Sequence, residues 1–213
     1  FGDCYMKIIN LKNVLCLSPH PDDVEYGMLG TMIKYEDTNF DVFVLSQGGD
    51  FDTSSDLDRH NETLKTLDGI KNVNCKFSDV KFIKEKQEDE WINFIETEYD
   101  INSYDCIFTP PSFESHFEHR FVSNFSNALV RVSKCGIVSY RTPSTLDTWI
   151  PNLFVNLSEN VWKSKISRLK SFNSQTDKSY FEDNSIESFH SNYQCSKRGL
   201  DKVESFKIER CYN

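Results

Sequence analysis

The chain is most informative first through what it lacks. No apolar run in its 213 residues approaches the roughly 20 needed for a membrane span. No Cys-x-x-Cys pair occurs among the seven cysteines (4, 16, 75, 106, 135, 195 and 211), so neither a zinc ribbon nor a disulfide framework is expected. Several of them sit inside apolar runs, where cysteine acts as a small hydrophobe, and a reducing, cytoplasmic setting is the expectation. Glycine is scarce, at 8 residues, and no dinucleotide fingerprint or Gly-Lys-Ser/Thr phosphate loop occurs, which excludes a nucleotide-dependent Rossmann enzyme. Basic charge is in deficit. A net charge of −9 repels a phosphate backbone or an anionic membrane on average, so no nucleic-acid partner is expected. Phe1-Gly2-Asp3-Cys4-Tyr5 lacks the layout of a secretory signal and does not begin with Met, so residues 1–5 are open to reading as an added or processed end. With no repeat, low-complexity tract or linker, one domain over 1–213 is expected, and homo-oligomerisation stays open.

What is present begins at Val14-Leu15-Cys16-Leu17, four apolar residues in a row that suit a strand buried on both faces. Ser18-Pro19-His20-Pro21-Asp22-Asp23 follows, where two prolines end the strand and display His20, Asp22 and Asp23 on a rigid turn. Helical spacing resumes over 25–35. Alone, this stretch reads equally well as a turn with an aspartate capping the next helix.

The pattern recurs downstream. Tyr104 to Thr109 reads as a strand, Pro110-Pro111 stops it, and a turn bearing His116 and His119 leads into a helix over 117–132. Further strands are expected at 41–46, 72–77, 136–140, 152–157 and 204–210, with 80–83 as a continuation of the sheet edge. Helices are expected at 58–67, from the charged run 84–90 through Ile95, at 159–172 behind an N-cap Ser158, and at 186–200. Residues 173–184 read as a polar surface loop, and Gly48 to Ser55 as a polar loop able to adapt to a sugar. Strands alternating with helices imply an α/β fold, a Rossmann-like three-layer sandwich with a mainly parallel sheet. In the order 3-2-1-4-5, strands one and four adjoin at the switch point, and their two turns meet at the sheet's carboxyl edge.

Two histidines and an aspartate leave an open position on a zinc ion, and a further carboxylate and histidine supply a base and an acid or oxyanion donor. His20, His116, His119 and the pair Asp22-Asp23 provide that complement. His60 and His190, in polar helical surroundings, are expected at the surface.

Pro19-His20-Pro21-Asp22-Asp23-Val24-Glu25-Tyr26-Gly27, His116-Phe117-Glu118-His119-Arg120, Arg59-x-x-Glu62, Pro151-Asn152-x-Phe154-Val155 and Glu204-Ser205-Phe206 together resemble the PIG-L/LmbE-like N-deacetylases. The resemblance implies a zinc-dependent hydrolase that removes acetyl groups from N-acetylated amino sugars or glycoconjugates, with zinc or another divalent ion as cofactor. It implies His20, Asp23 and His119 as metal ligands and Asp22 as the base. His116 would stabilise the oxyanion or protonate the leaving amine, and Arg59 and Glu114 would contact substrate. In the second motif Phe117 and Glu118 replace the family's more usual middle pair, although Glu118 keeps a carboxylate able to orient a histidine. Alternative readings are an amidase for a larger thiol or natural-product conjugate and a non-catalytic carbohydrate-binding relative.

Overall fold

The computed structural model describes residues 11–48 and 56–211, the side chains of 56–58 excepted. The leading residues 1–5 and the loop from 49 to 55 lie outside the described residues. In chain order the elements are β1 (Asn13–Ser18), α1 (Asp23–Lys34), β2 (Asn39–Val44), α2 (Asp56–Leu67), β3 (Val73–Phe77), α3 (Glu88–Glu98) and β4 (Cys106–Thr109). Then come α4 (Phe117–Leu129), β5 (Gly136–Tyr140), β6 (Leu153–Asn156), α5 (Glu159–Leu169), α6 (Asp183–Phe189), α7 (Tyr193–Ser196) and β7 (Val203–Arg210).

The strands form one sheet in the order β3-β2-β1-β4-β5-β7-β6. The first five are parallel, as expected, and β7 runs antiparallel between β5 and β6. Side chains alternate between the faces of a strand, so β1 feeds two cores. Val14 and Cys16 pack with Met28 and Met32 of α1 and Trp162 of α5. Leu15 and Leu17 pack with Trp91 of α3 and Phe125 of α4. Helices thus cover both faces, which is the three-layer sandwich.

Gly27 brings α1 close to the sheet. A Cβ there would lie 2.7 Å from the Arg141 carbonyl oxygen and 2.8 Å from the Tyr140 ring. Tyr140 in turn donates from its hydroxyl to the Leu17 carbonyl at 2.8 Å, tying β5 to the end of β1.

Three local expectations are corrected. Residues 80–83 do not extend the sheet, because the Ser78 hydroxyl bonds both the Leu45 carbonyl and the Val80 amide and turns the chain into a 3-10 turn at Ile83–Glu85. Residues 173–184 include 3-10 turns at Asn173–Gln175 and Ser179–Phe181, held inward by Ser174, whose amide and hydroxyl both donate to Glu62. The expected helix 186–200 is two short helices, since the Asn192 side chain accepts from the Gln194 and Cys195 amides and starts α7 afresh. Cys16, Cys75, Cys106, Cys135 and Cys195 are free thiols, whereas Cys211 is disulfide-bonded, contrary to the expectation of wholly reduced cysteines.

Candidate metal centre

The first turn is built by its own backbone. Ser18 donates from its hydroxyl to the His20 carbonyl at 2.7 Å, and Asp23 Oδ2 accepts from the His20 amide at 3.0 Å. Asp22, the residue before α1, has φ +103°, and among the described residues no other non-glycine has a positive φ. Such a conformation costs about 1–3 kcal/mol and persists where the surroundings impose it. The second turn ends at His116, the N-cap of α4, whose Nδ1 accepts from the Glu118 amide at 3.3 Å.

β1 and β4 are neighbours, so the two turns meet. His20 Nδ1 lies 3.1 Å from Asp23 Oδ2 and 3.3 Å from His119 Nε2, and His119 Nε2 lies 3.1 Å from the same Asp23 oxygen. Ligand atoms about 2.0–2.1 Å from a tetrahedral zinc stand about 3.3–3.4 Å apart. The triangle fits one small cation with little adjustment. His20, His116 and Glu118 also bring donor atoms within 4.8 Å of one another. A neutral imidazole has one lone pair, however, and His20 Nε2 is engaged by Glu118 Oε2 at 2.7 Å. That bond places the His20 proton on Nε2 and commits Nδ1 to Asp23 and His119, while Glu118 Oε1 is anchored by the Ile83 amide at 3.1 Å.

Electrostatics point the same way. Burial opposes charge on Asp23, but His119 and His20 outweigh it and hold the carboxyl well below the usual range. Burial likewise opposes charge on His119, yet Asp23 and Glu114 push it up to about 10. The spot is organised to hold positive charge. Asp22 differs: burial pushes it up to about 7, with Arg59 opposing and Asp23 assisting. His116 is moved down, first by burial and then by His119 and His20. Its ring centroid lies 4.9 Å from that of His20 and 4.7 Å from that of His119.

A cavity of about 450 Å³ opens over this centre, lined among others by His20, Asp22, Asp23, Arg59, His116 and His119. Arg59 does not reach into it freely. Its guanidinium donates to the Gly48 and Pro21 carbonyls and to Asp22 Oδ2 at 3.2 Å. Glu114 is 1% exposed and lies behind His119, outside the cavity lining. A larger cavity of about 560 Å³ between α1, β6 and α7 is mainly apolar and contains none of these residues, so chemistry rather than volume marks the site. The expectation that His190 lies at the surface is wrong: it is fully buried, its ring held between the Ile186 and Tyr26 carbonyls. His60 is partly buried, stacked on Phe77 with ring centroids 4.1 Å apart. No site role was expected for Thr142-Pro143-Ser144-Thr145, whose hydroxyls cluster around Glu114; a run rich in Ser and Thr just after a strand was the available signal.

Fold and site together define an α/β protein with a cluster of histidine and carboxylate donors, spaced as a metal ion requires, at the carboxyl ends of β1 and β4. The chain is 25% identical over 169 residues to the uncharacterized deacetylase YaiS of Escherichia coli, covering 75% of this chain and 89% of that protein. Among solved structures it is similar to N,N'-diacetylchitobiose deacetylase from Pyrococcus horikoshii, with a TM-score of 0.72 at 18% identity, covering 99% of this chain and 93% of the other. The 4-carboxy-2-hydroxymuconate hydratase GalB from Pseudomonas putida shares the fold too, with a TM-score of 0.77 at 11% identity over 95% and 98% of the two chains. No family model matches. The resemblance to the PIG-L/LmbE-like deacetylases is borne out: the chain has the fold of a solved deacetylase, and a curated relative carries the name deacetylase. A hydratase on the same fold means that the reaction itself is argued from the site. No helix among the described residues is long and apolar enough to cross a membrane.

Proposed function

We propose that the chain is a metal-dependent N-deacetylase of an amino sugar or glycoconjugate, with His20, Asp23 and His119 holding the ion. The observation that carries this reading is the triangle of donor atoms at 3.1, 3.1 and 3.3 Å, with Asp22 beside it. A zinc ion bound there supplies Lewis acidity toward an amide carbonyl and acidifies water. Asp22, pushed up to about 7, takes a proton from the attacking water near neutrality and returns one as the C–N bond breaks. Arg59 holds Asp22 in its strained orientation instead of contacting substrate directly. His116 accepts the Glu118 amide on Nδ1, so its neutral ring carries the proton on Nε2. That hydrogen is a donor for the oxyanion, which favours this role over protonation of the amine.

Metal-stripped protein, resupplied with zinc and assayed for acetate release across a panel of N-acetylated amino sugars, tests the reading. Release that depends on zinc is expected. Protein that takes up zinc but frees acetate from no member of the panel would sink it.

A further inference from the structure

The side chains around His119 do more than bury it. Its Nδ1 lies 3.1 Å from Ser144 Oγ, 3.3 Å from Glu114 Oε2 and 3.4 Å from Thr142 Oγ1. Glu114 gathers three hydroxyl donors, Thr142 and Thr145 on Oε1 and Ser144 on Oε2. A hydroxyl has one hydrogen to give. With theirs spent on Glu114, Thr142 and Ser144 present only lone pairs to the imidazole. Every atom facing Nδ1 is therefore an acceptor. In the neutral ring that a cation requires, the remaining proton is therefore fixed on Nδ1, and the Nε2 lone pair is left facing the point it shares with His20 Nδ1 and Asp23 Oδ2.

We infer that Glu114 is a positioning residue for the metal centre: by taking the hydroxyl hydrogens of Thr142, Ser144 and Thr145 it selects the His119 tautomer that binds a cation. This rests on the metal-dependent reading above and replaces the expectation that Glu114 meets substrate. The same contacts also hold the cavity wall. Glu114 pairs with Thr145 in a short antiparallel bridge, and the Ser115 amide donates to the Ser144 carbonyl at 2.9 Å. Pro143 and Ser144 line the cavity, so one buried carboxylate secures both a metal ligand and the surface a substrate would touch.

Glu114→Gln tests this with almost no change of shape. Its amide NH2 donates where an oxygen accepted, so one hydroxyl hydrogen is released toward His119 Nδ1 and the opposite tautomer gains. Zinc affinity, measured by competition with a chelator, is expected to fall about ten- to hundredfold, the usual cost of losing an outer-shell partner. In zinc-loaded wild type, nitrogen-15 NMR is expected to show a proton on His119 Nδ1, and Glu114→Gln to shift or broaden that resonance. Thr145→Val removes one donor to Glu114 without touching His119. It is expected to weaken zinc binding less, in the same direction, and it decides the matter if Glu114→Gln does not fold. Wild-type zinc affinity in the folded variants overturns the role of Glu114 and leaves the metal site standing. Wild-type protein that binds no zinc overturns the reading on which that role rests.

Discussion

Two clusters of buried charge grip α1, one at its first turn and one at its middle, and they are built on opposite plans. At the middle, Lys165 and Glu204 are both fully buried and 2.5 Å apart. Glu204 also accepts from the Gly30 amide at 2.7 Å and from the Thr31 amide and hydroxyl, each at 2.6 Å. Lys165 donates to the Tyr26 carbonyl at 2.6 Å. Donors meet acceptors throughout, and side chains take over part of the hydrogen bonding of one helical turn. At the first turn, by contrast, two imidazole nitrogens and a carboxylate oxygen converge on one point, with carboxylates behind both rings. Burial and charge alone do not separate a site from a strut. What separates them is whether the polar atoms satisfy one another or point jointly at a space beneath a cavity.

The comparison breaks most visibly at Asp22. If the first-turn cluster is catalytic, Asp22→Asn should keep the shape, since asparagine tolerates positive φ, and remove the proton acceptor. Turnover is then expected to fall about 10²–10⁴-fold, the usual yield of a positioned base, with zinc content unchanged. Acetate release near the wild-type rate would place Asp22 with the struts.

The converse experiment falls on Lys165. Lys165→Met leaves Glu204 buried without its cation, and breaking a buried pair from one side costs about 3–5 kcal/mol. Denaturant unfolding should register that loss, while the zinc affinity of the folded fraction stays within a few-fold of wild type. A large fall in zinc affinity at unchanged stability would show that the middle of α1 serves the site directly.

The two plans were unequally legible in the sequence. The first-turn cluster announced itself because prolines close the two apolar runs that precede His20 and His116, and parallel pairing of β1 with β4 follows from the alternation of strands and helices. The partners that finish it were silent. Glu114 meets Thr142 and Thr145 across 28 and 31 residues, and hydroxyl–carboxylate contacts leave no periodic trace. Glu204 stood out only within the motif Glu204-Ser205-Phe206, and nothing in the sequence pairs it with Lys165, 39 residues away. Hydrophobic period also misled where side chains override it, as Asn192 does when it splits the expected helix 186–200.

His190 was misplaced for the same reason, and its true position gives the smallest and most specific effect. The ring is fully buried in the middle cluster, 2.8 Å from the Ile186 carbonyl and 3.2 Å from that of Tyr26. Both carbonyls favour the imidazolium, but burial first and the Lys165 ammonium second outweigh them and keep the ring neutral, its pKa well below the ordinary value. The unfolded chain titrates at about 6.5 and the folded one lower, so between those values the unfolded state binds more protons. Stability from this group is complete above about pH 6.5 and drains away as the pH falls below it, by up to about 1.4 kcal/mol per unit. His190→Gln, which cannot take up the proton, should flatten that slope while lowering stability at neutral pH. If variant and wild type lose stability in parallel between neutral and mildly acidic pH, the buried histidine is not held neutral, and its two N–H groups serve both carbonyls despite the neighbouring ammonium.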